Sequence, residues 1–225
     1  MRTKALLGLA ALAVGLSTSV AQNVYSLNVV GYVNVSLYAN QLSLLSLPVA
    51  PVDGNFNITN TIVLNDAQDG AVIYKWLPTG GWDPTLYAWY AGAGWSPNTV
   101  ISNGQAFFLA PAAAGTLTFV GQVPQGALSY TIPPGLQTLA NMVPVSTNFP
   151  GSTVGNDGDT IYLWNSTITP HAWSSTLWSY YGGVGWDNGG GAGNSVQGPV
   201  LNPADGVFYA NSGAAISFTQ NFTVQ

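Results

Sequence analysis

The sequence predicts an all-β protein made of two similar antiparallel units, β-sandwich or partly open barrel in form, related by internal duplication. Two observations carry this reading. Thr85-Leu-Tyr-Ala-Trp-Tyr-Ala-Gly-Ala-Gly-Trp95 returns as Thr176-Leu-Trp-Ser-Tyr-Tyr-Gly-Gly-Val-Gly-Trp186. Short apolar runs separated by Gly, Pro and Asn turns fill the rest of the chain, and no segment sustains a long 3.6-residue period.

Residues 1–21 read as a signal peptide: Met1-Arg-Thr-Lys4, an apolar run from Ala5 to Leu16, and the small-x-small site Ser19-Val-Ala21. That run is too short for a permanent span, which needs about 20 residues, and no later stretch qualifies. The mature chain, Gln22 to Gln225, is therefore expected to be secreted or displayed at the cell surface, with a first β repeat over 22–126 and a second over 127–225.

In the first repeat, alternation predicts opening strands between Gln22 and Leu37, then a strand from Leu42 to Val49 ended by Pro48. Asn57 to Asn65 predicts one or two helical turns with Thr59 or Asn60 as N-cap. Asp69-Gly70 turns the chain into Ala71 to Trp76, and Pro78 to Gly81 turns it back into the aromatic motif. As a strand, that motif puts Tyr87, Trp89 and Trp95 on one face and Leu86, Ala88 and Tyr90 on the other. Its glycines supply a bulge or tight turn before the last Trp. Ala106 to Ala110 and Leu117 to Val120 complete the unit. The second repeat retraces this order, with Asp157-Gly158 matched to Asp69-Gly70, Ile161 to Trp164 matched to Ile73 to Trp76, Phe208-Tyr209 matched to Phe107-Phe108, and Phe218 matched to Phe119.

Asn23-Val-Tyr-Ser-Leu-Asn-Val-Val-Gly-Tyr-Val-Asn34, the Ile-Tyr-Lys-Trp strand, the Gly-Trp motif and Thr118-Phe-Val-Gly-Gln-Val-Pro-Gln-Gly126 resemble a family of secreted two-repeat β proteins of Verrucomicrobia-type bacteria. The resemblance covers nearly the whole mature chain and implies no catalytic or ligand residue. Where relatives often carry Glu, this chain has Gln122.

Charge narrows the functional classes. Without its signal the chain keeps one basic residue, Lys75, against eight Asp. Nucleic acid is not an expected partner, since phosphate neutralisation needs a basic patch. The absence of cysteine leaves packing, not disulfides, to stabilise an exported chain, and with a single His it excludes a zinc site. His171 reads as an exposed loop residue, not a catalytic base, because Ser174 and Ser175 beside it form no nucleophile elbow. Gly189 to Gly193 reads as a hairpin tip without the Lys of a phosphate loop. Lys75 is matched by Leu163, which predicts a place at a sheet edge or at the rim between the units.

Asp157 and Asp159, in Asn156-Asp-Gly-Asp159, form a loose calcium-loop pattern beside the plainer reading of turn chemistry. The aromatics carry the strongest functional signal. Trp76, Trp95, Trp164 and Trp186 read as core, whereas Trp82 and Trp173 sit beside turn residues. A carbohydrate-binding face would draw on Trp82, Trp89, Trp173 and Trp178. Two functions follow as expectations. The first is a secreted, non-enzymatic structural or cell-surface protein that associates with itself or with the cell envelope. The second is a carbohydrate-binding module with polysaccharide as partner.

Overall fold

The computed structural model describes residues 29–148, 154–189 and 197–224. The expected signal peptide, the first residues of the expected opening strand and most of the stretch 189–193, expected as a hairpin tip, lie outside them. Within the first repeat are β1 (Val30–Leu37), β2 (Ser43–Ser46), β3 (Val72–Lys75), β4 (Tyr87–Tyr90), β5 (Gly94–Ser96), β6 (Ala106–Ala110) and β7 (Gly115–Gln122). Five form an antiparallel sheet in the order β2-β6-β3-β4-β5, and β1 pairs with β7 as a separate ribbon. The second repeat contains β8 (Gly126–Ile132), β9 (Gly135–Ala140), β10 (Thr147–Asn148), β11 (Thr160–Asn165), β12 (Ala172–Tyr181), β13 (Gly185–Asp187), β14 (Val200–Leu201), β15 (Gly206–Asn211) and β16 (Ile216–Phe222). Its sheet runs β9-β15-β11-β12-β13 and its ribbon is β8-β16, the same arrangement, with a short β10-β14 ladder added. The protein is all-β, and each repeat is sandwich-like.

Period-two burial explains each sandwich. The inner face of the first sheet presents Leu45, Ile73, Tyr87, Trp89, Trp95, Phe107 and Leu109 to Leu117 and Phe119 of the ribbon. In the second, Leu139, Ile161, Tyr180, Trp186, Val207 and Tyr209 meet Ile132 and Phe218. The aromatic motif thus divides as its alternation predicts: Tyr87, Trp89 and Trp95 are buried while Leu86 and Tyr90 are exposed. Gly92 and Gly94 take positive φ between the strand and the final Trp, closing the β4-β5 hairpin.

Strand register corrects one match between the repeats. Tyr74 pairs with Phe108 and Tyr162 pairs with Phe208, so Phe208 is the counterpart of Phe108, and Tyr209 that of Leu109. Matching by residue type slips by one position, and a one-residue slip reverses the face of every side chain. The consequence is functional: Phe108 and Phe208 both point away from their own ribbons.

The predicted helical turn is α1 (Ile58–Thr61), but its N-cap is Asn57, not Thr59 or Asn60. Ile58 and Ile62 are both fully buried, and their four-residue spacing forces the turn to begin at Ile58 to aim both inward.

Lys75 is not at a sheet edge. It is the last residue of β3, the central strand, where it pairs with Phe107 and donates from Nζ to Thr99 Oγ1 at 3.1 Å. The strand end, and not an edge, gives the ammonium its way out. Leu163 fills the matched place and packs on the second core, so Lys75→Leu is expected to change unfolding free energy by less than about 1 kcal/mol in urea titration. A loss above about 2 kcal/mol, approaching the scale of breaking a buried pair, would show that the cation is structurally essential.

Candidate functional site: paired aromatic clefts

The outer faces of the two sheets, those turned away from the ribbons, meet each other. Leu44, Ala106 and Phe108 pack there against Ala140 and Phe208, with Trp76 and Trp164 alongside. Each repeat lends an indole to the other. Trp76 Nε1 donates to the Leu136 carbonyl at 2.8 Å, and Trp164 Nε1 donates to the Leu42 carbonyl at 2.9 Å. Leu42 and Leu136 occupy matched places just ahead of the residues that pair with Leu109 and Tyr209, so the two bonds form a reciprocal exchange. The rings follow the same exchange: Trp76 meets Phe208 edge-on at 5.2 Å between centroids, and Trp164 meets Phe108 edge-on at 4.9 Å. Each such contact contributes roughly 0.5–1.5 kcal/mol beyond the area it buries.

Trp82 and Trp173 sit across a hairpin from these lent indoles, each edge-on to its neighbour at 5.1 Å. They are 50% and 47% exposed. Their turns hold them by different chemistry in matched positions. In the first repeat Asp83 accepts from Thr85 N at 2.9 Å and from the Tyr87 hydroxyl at 2.7 Å. Those two bonds, the backbone one foremost, keep its carboxyl below the usual range. In the second repeat Ser174 Oγ accepts from Thr176 N at 3.1 Å.

Around these rings lie two clefts of about 450 Å³ each. One is lined by Trp76, Trp82, Leu136, Tyr162, Trp173 and Phe208. The other is lined by Trp164, Trp173, Leu42, Tyr74, Trp82 and Phe108, the same set with the repeats interchanged. Their walls are apolar rings, and neither contains a carboxylate or an imidazole. Polar groups are few. The Tyr74 and Tyr162 hydroxyls and the Trp82 and Trp173 indole N–H groups have no hydrogen-bond partner among the described residues, which leaves four donors for a ligand.

The expected platform residues therefore separate. Trp82 and Trp173 are brought together at the clefts. Trp89 is only 8% exposed and belongs to the first core, and Trp178 is half-buried against the second. A face turned toward a ribbon has no room for a ligand, so these two are corrected to structural residues. Trp95 and Trp186 are core, as their motif implies. Trp76 and Trp164 are not core residues of either unit but bridge the two.

His171 is not an exposed loop residue. It is buried, edge-on to Tyr38, and its Nδ1 lies 2.8 Å from the same Leu42 carbonyl that accepts from Trp164. A carbonyl only accepts, so Nδ1 carries the hydrogen. The longer hairpin of the second repeat places this imidazole as a brace between the repeats.

Asp157 and Asp159 serve the fold. Asp157 accepts from Gly182 N at 2.8 Å just as Asp69 accepts from Ala91 N at 2.9 Å, tying the Asp-Gly turn to the aromatic hairpin in each repeat. Asp159 is fully buried and accepts four hydrogen bonds: from Asn156 N, Ser212 N, Ser212 Oγ and the Tyr209 hydroxyl, between 2.6 and 2.8 Å. Calcium at Asp159 would have to displace these donors. Among the described residues no group of three or more His, Asp or Glu is placed to hold a metal ion.

Sequence reasoning overlooked Phe108, Phe208, Tyr74 and Tyr162 as cleft residues. Strict alternation along β3, β6, β11 and β15 would have put all four on the faces opposite the ribbons. Among the described residues no helix is long and apolar enough to cross a membrane. No family model, no curated protein and no solved structure matches this chain.

Proposed function

We propose that the mature chain is an exported, non-enzymatic protein that binds an uncharged polysaccharide on its paired aromatic clefts. The observation that carries this is the half-exposure of Trp82 and Trp173 on two matched clefts, in a protein whose other motif tryptophans are turned inward. A pyranose presents an apolar C–H face to a flat ring and hydroxyls at its rim, the division made by indole faces ringed with Tyr hydroxyl and indole donors. The sign of the charge narrows the polymer. With eight Asp against one mature cation, an anionic chain would be repelled and a neutral one would not. The absence of an acid–base pair at the clefts favours retention over cleavage.

The test is retention on an insoluble neutral β-glucan. Trp82→Ala with Trp173→Ala is expected to reduce retention at least tenfold while the variant stays folded by circular dichroism at the assay temperature, because about half of each ring is in solvent. Unchanged retention in that variant would overturn the reading.

Self-association, or attachment to the cell envelope, is supported by a separate observation. The outer face of the β1-β7 ribbon carries Val30, Tyr32 and Val120 exposed side by side, whereas the matched face of β8-β16 carries Ser129, Thr131, Ser217 and Thr219. An apolar patch on one ribbon only gives the molecule one sticky end. Sedimentation of the mature chain in low and high salt tests this: association that persists in high salt is expected, and a strict monomer at every concentration contradicts it.

A further inference from the structure

The two places where a loop of one repeat meets the ribbon of the other are not equivalent. The loops themselves match. Ser102 N donates to Gln105 Oε1 and Gln105 N to the Ser102 carbonyl, while Asn202 N donates to Asp205 Oδ2 and Asp205 N to the Asn202 carbonyl. At the first junction the space is filled. The Tyr130 ring lies so close to Gly104 that a Cβ there would meet it at 2.8 Å, and Gln105 spends its amide nitrogen on the Trp76 carbonyl at 3.5 Å. At the second junction ribbon register puts Val33 opposite Phe119 where Tyr130 stands opposite Phe218. Beside that loop lies a cleft of about 350 Å³, with Asn34, Ser36, Tyr38, Ser43, Ser166 and Asp205 on its walls and Trp164 shared with one of the aromatic clefts.

Two groups in that cleft are unsatisfied among the described residues. Ser43 is 2% exposed and its Oγ has no hydrogen-bond partner. Asp205 accepts from Asn202 N and Nδ2 on Oδ2 alone, leaving Oδ1 without a partner. No side chain of the mature protein supplies a countercharge, because Lys75 is engaged with Thr99 on the other repeat. Where the first loop ends in an amide that donates, the second ends in a carboxylate that only accepts. Asp205 Oδ1 and Ser43 Oγ can therefore both take a donor.

We propose that this cleft is a binding site for a small hydroxylated primary amine, of the size of an amino sugar, with its ammonium on Asp205 and a hydroxyl on Ser43. Ser36, Ser166, Tyr38 and the Asn34 amide supply further hydroxyl partners around the rim. Burial pushes the Asp205 carboxyl above its usual range, its bonds to Asn202 opposing this only in part, and a bound cation would offset that cost. The site does not depend on the aromatic clefts binding anything.

Calorimetric titration of the mature chain with glucosamine at about pH 6.5, where an amine is protonated, tests the proposal, with glucose as the neutral control. Saturable binding at one site is expected, at least tenfold tighter than glucose, and weakened at least tenfold by Asp205→Asn. Ser166→Trp, at an exposed position on the rim, is expected to block the cleft and keeps the test decisive should Asp205→Asn disturb folding. No saturable binding of glucosamine, equal binding of glucose, or full binding retained by Ser166→Trp would each overturn the proposal.

Discussion

Asp159→Ala is expected to lower the unfolding free energy by about 3–5 kcal/mol, the scale of breaking a buried hydrogen-bonded charge network. The substitution leaves the Tyr209 hydroxyl and the Asn156 and Ser212 amides without their acceptor. The first repeat shows the alternative solution. Ala71 makes the backbone bond to Trp89 that Asp159 makes to Tyr180, and Leu109 stands where Tyr209 stands. Both are fully buried. An apolar pair in one repeat has become a polar pair in the other. Adding Tyr209→Leu to Asp159→Ala should therefore recover a substantial part of the loss, through a coupling energy of about 1–3 kcal/mol. Chemical denaturation of the two single variants and the double variant checks this, and strictly additive losses would contradict it.

Gly206→Ala is expected to cost about 2–3 kcal/mol, a large effect for one methyl group. Gly206 stands at the start of β15 where the two repeats touch, and a Cβ there would run into the Ala106 Cβ, with Leu44 Cγ at 3.2 Å and the Leu45 carbonyl at 3.3 Å behind it. The Ser46 N bond to the Ala204 carbonyl, 2.8 Å, holds the strands at this separation. Ala106 and Gly206 hold matched places, so one methyl group fills space that two cannot. Exchanging them, Gly206→Ala with Ala106→Gly, should restore most of the stability. If Gly206→Ala alone proved neutral by thermal unfolding, the close approach of the repeats would be wrong.

What could be read in advance follows from what alternation records. Period two gave the inward set Tyr87, Trp89 and Trp95 and the outward set Leu86 and Tyr90, because one face of each strand meets a ribbon. It could not say that the outward faces of two sheets meet each other. Trp76 and Trp164 look like core residues in sequence because their strands look buried, but the rings pack on the other repeat. His171 looks like a loop residue because the Leu42 carbonyl that holds it lies 129 positions away. The Phe107-Phe108 match slipped for a plainer reason: Phe and Tyr resemble each other, and only strand pairing fixes the register. Asp157 was legible as turn chemistry from its neighbouring Gly, while three of the four bonds to Asp159 come from Tyr209 and Ser212, some fifty positions away, and leave no local pattern.

The binding account is tested most directly by the indole N–H signals of the eight tryptophans in an ¹⁵N NMR titration with a soluble neutral gluco-oligosaccharide. The indole N–H groups of Trp76, Trp95 and Trp164 are bonded to backbone carbonyls, and those of Trp89 and Trp186 are buried. Those of Trp82 and Trp173 have no partner among the described residues and lie at the clefts. The account predicts that the signals of Trp82 and Trp173 move together and saturate while those of Trp89, Trp95 and Trp186 stay in place. No movement at Trp82 and Trp173, or movement led by the core signals, would contradict it.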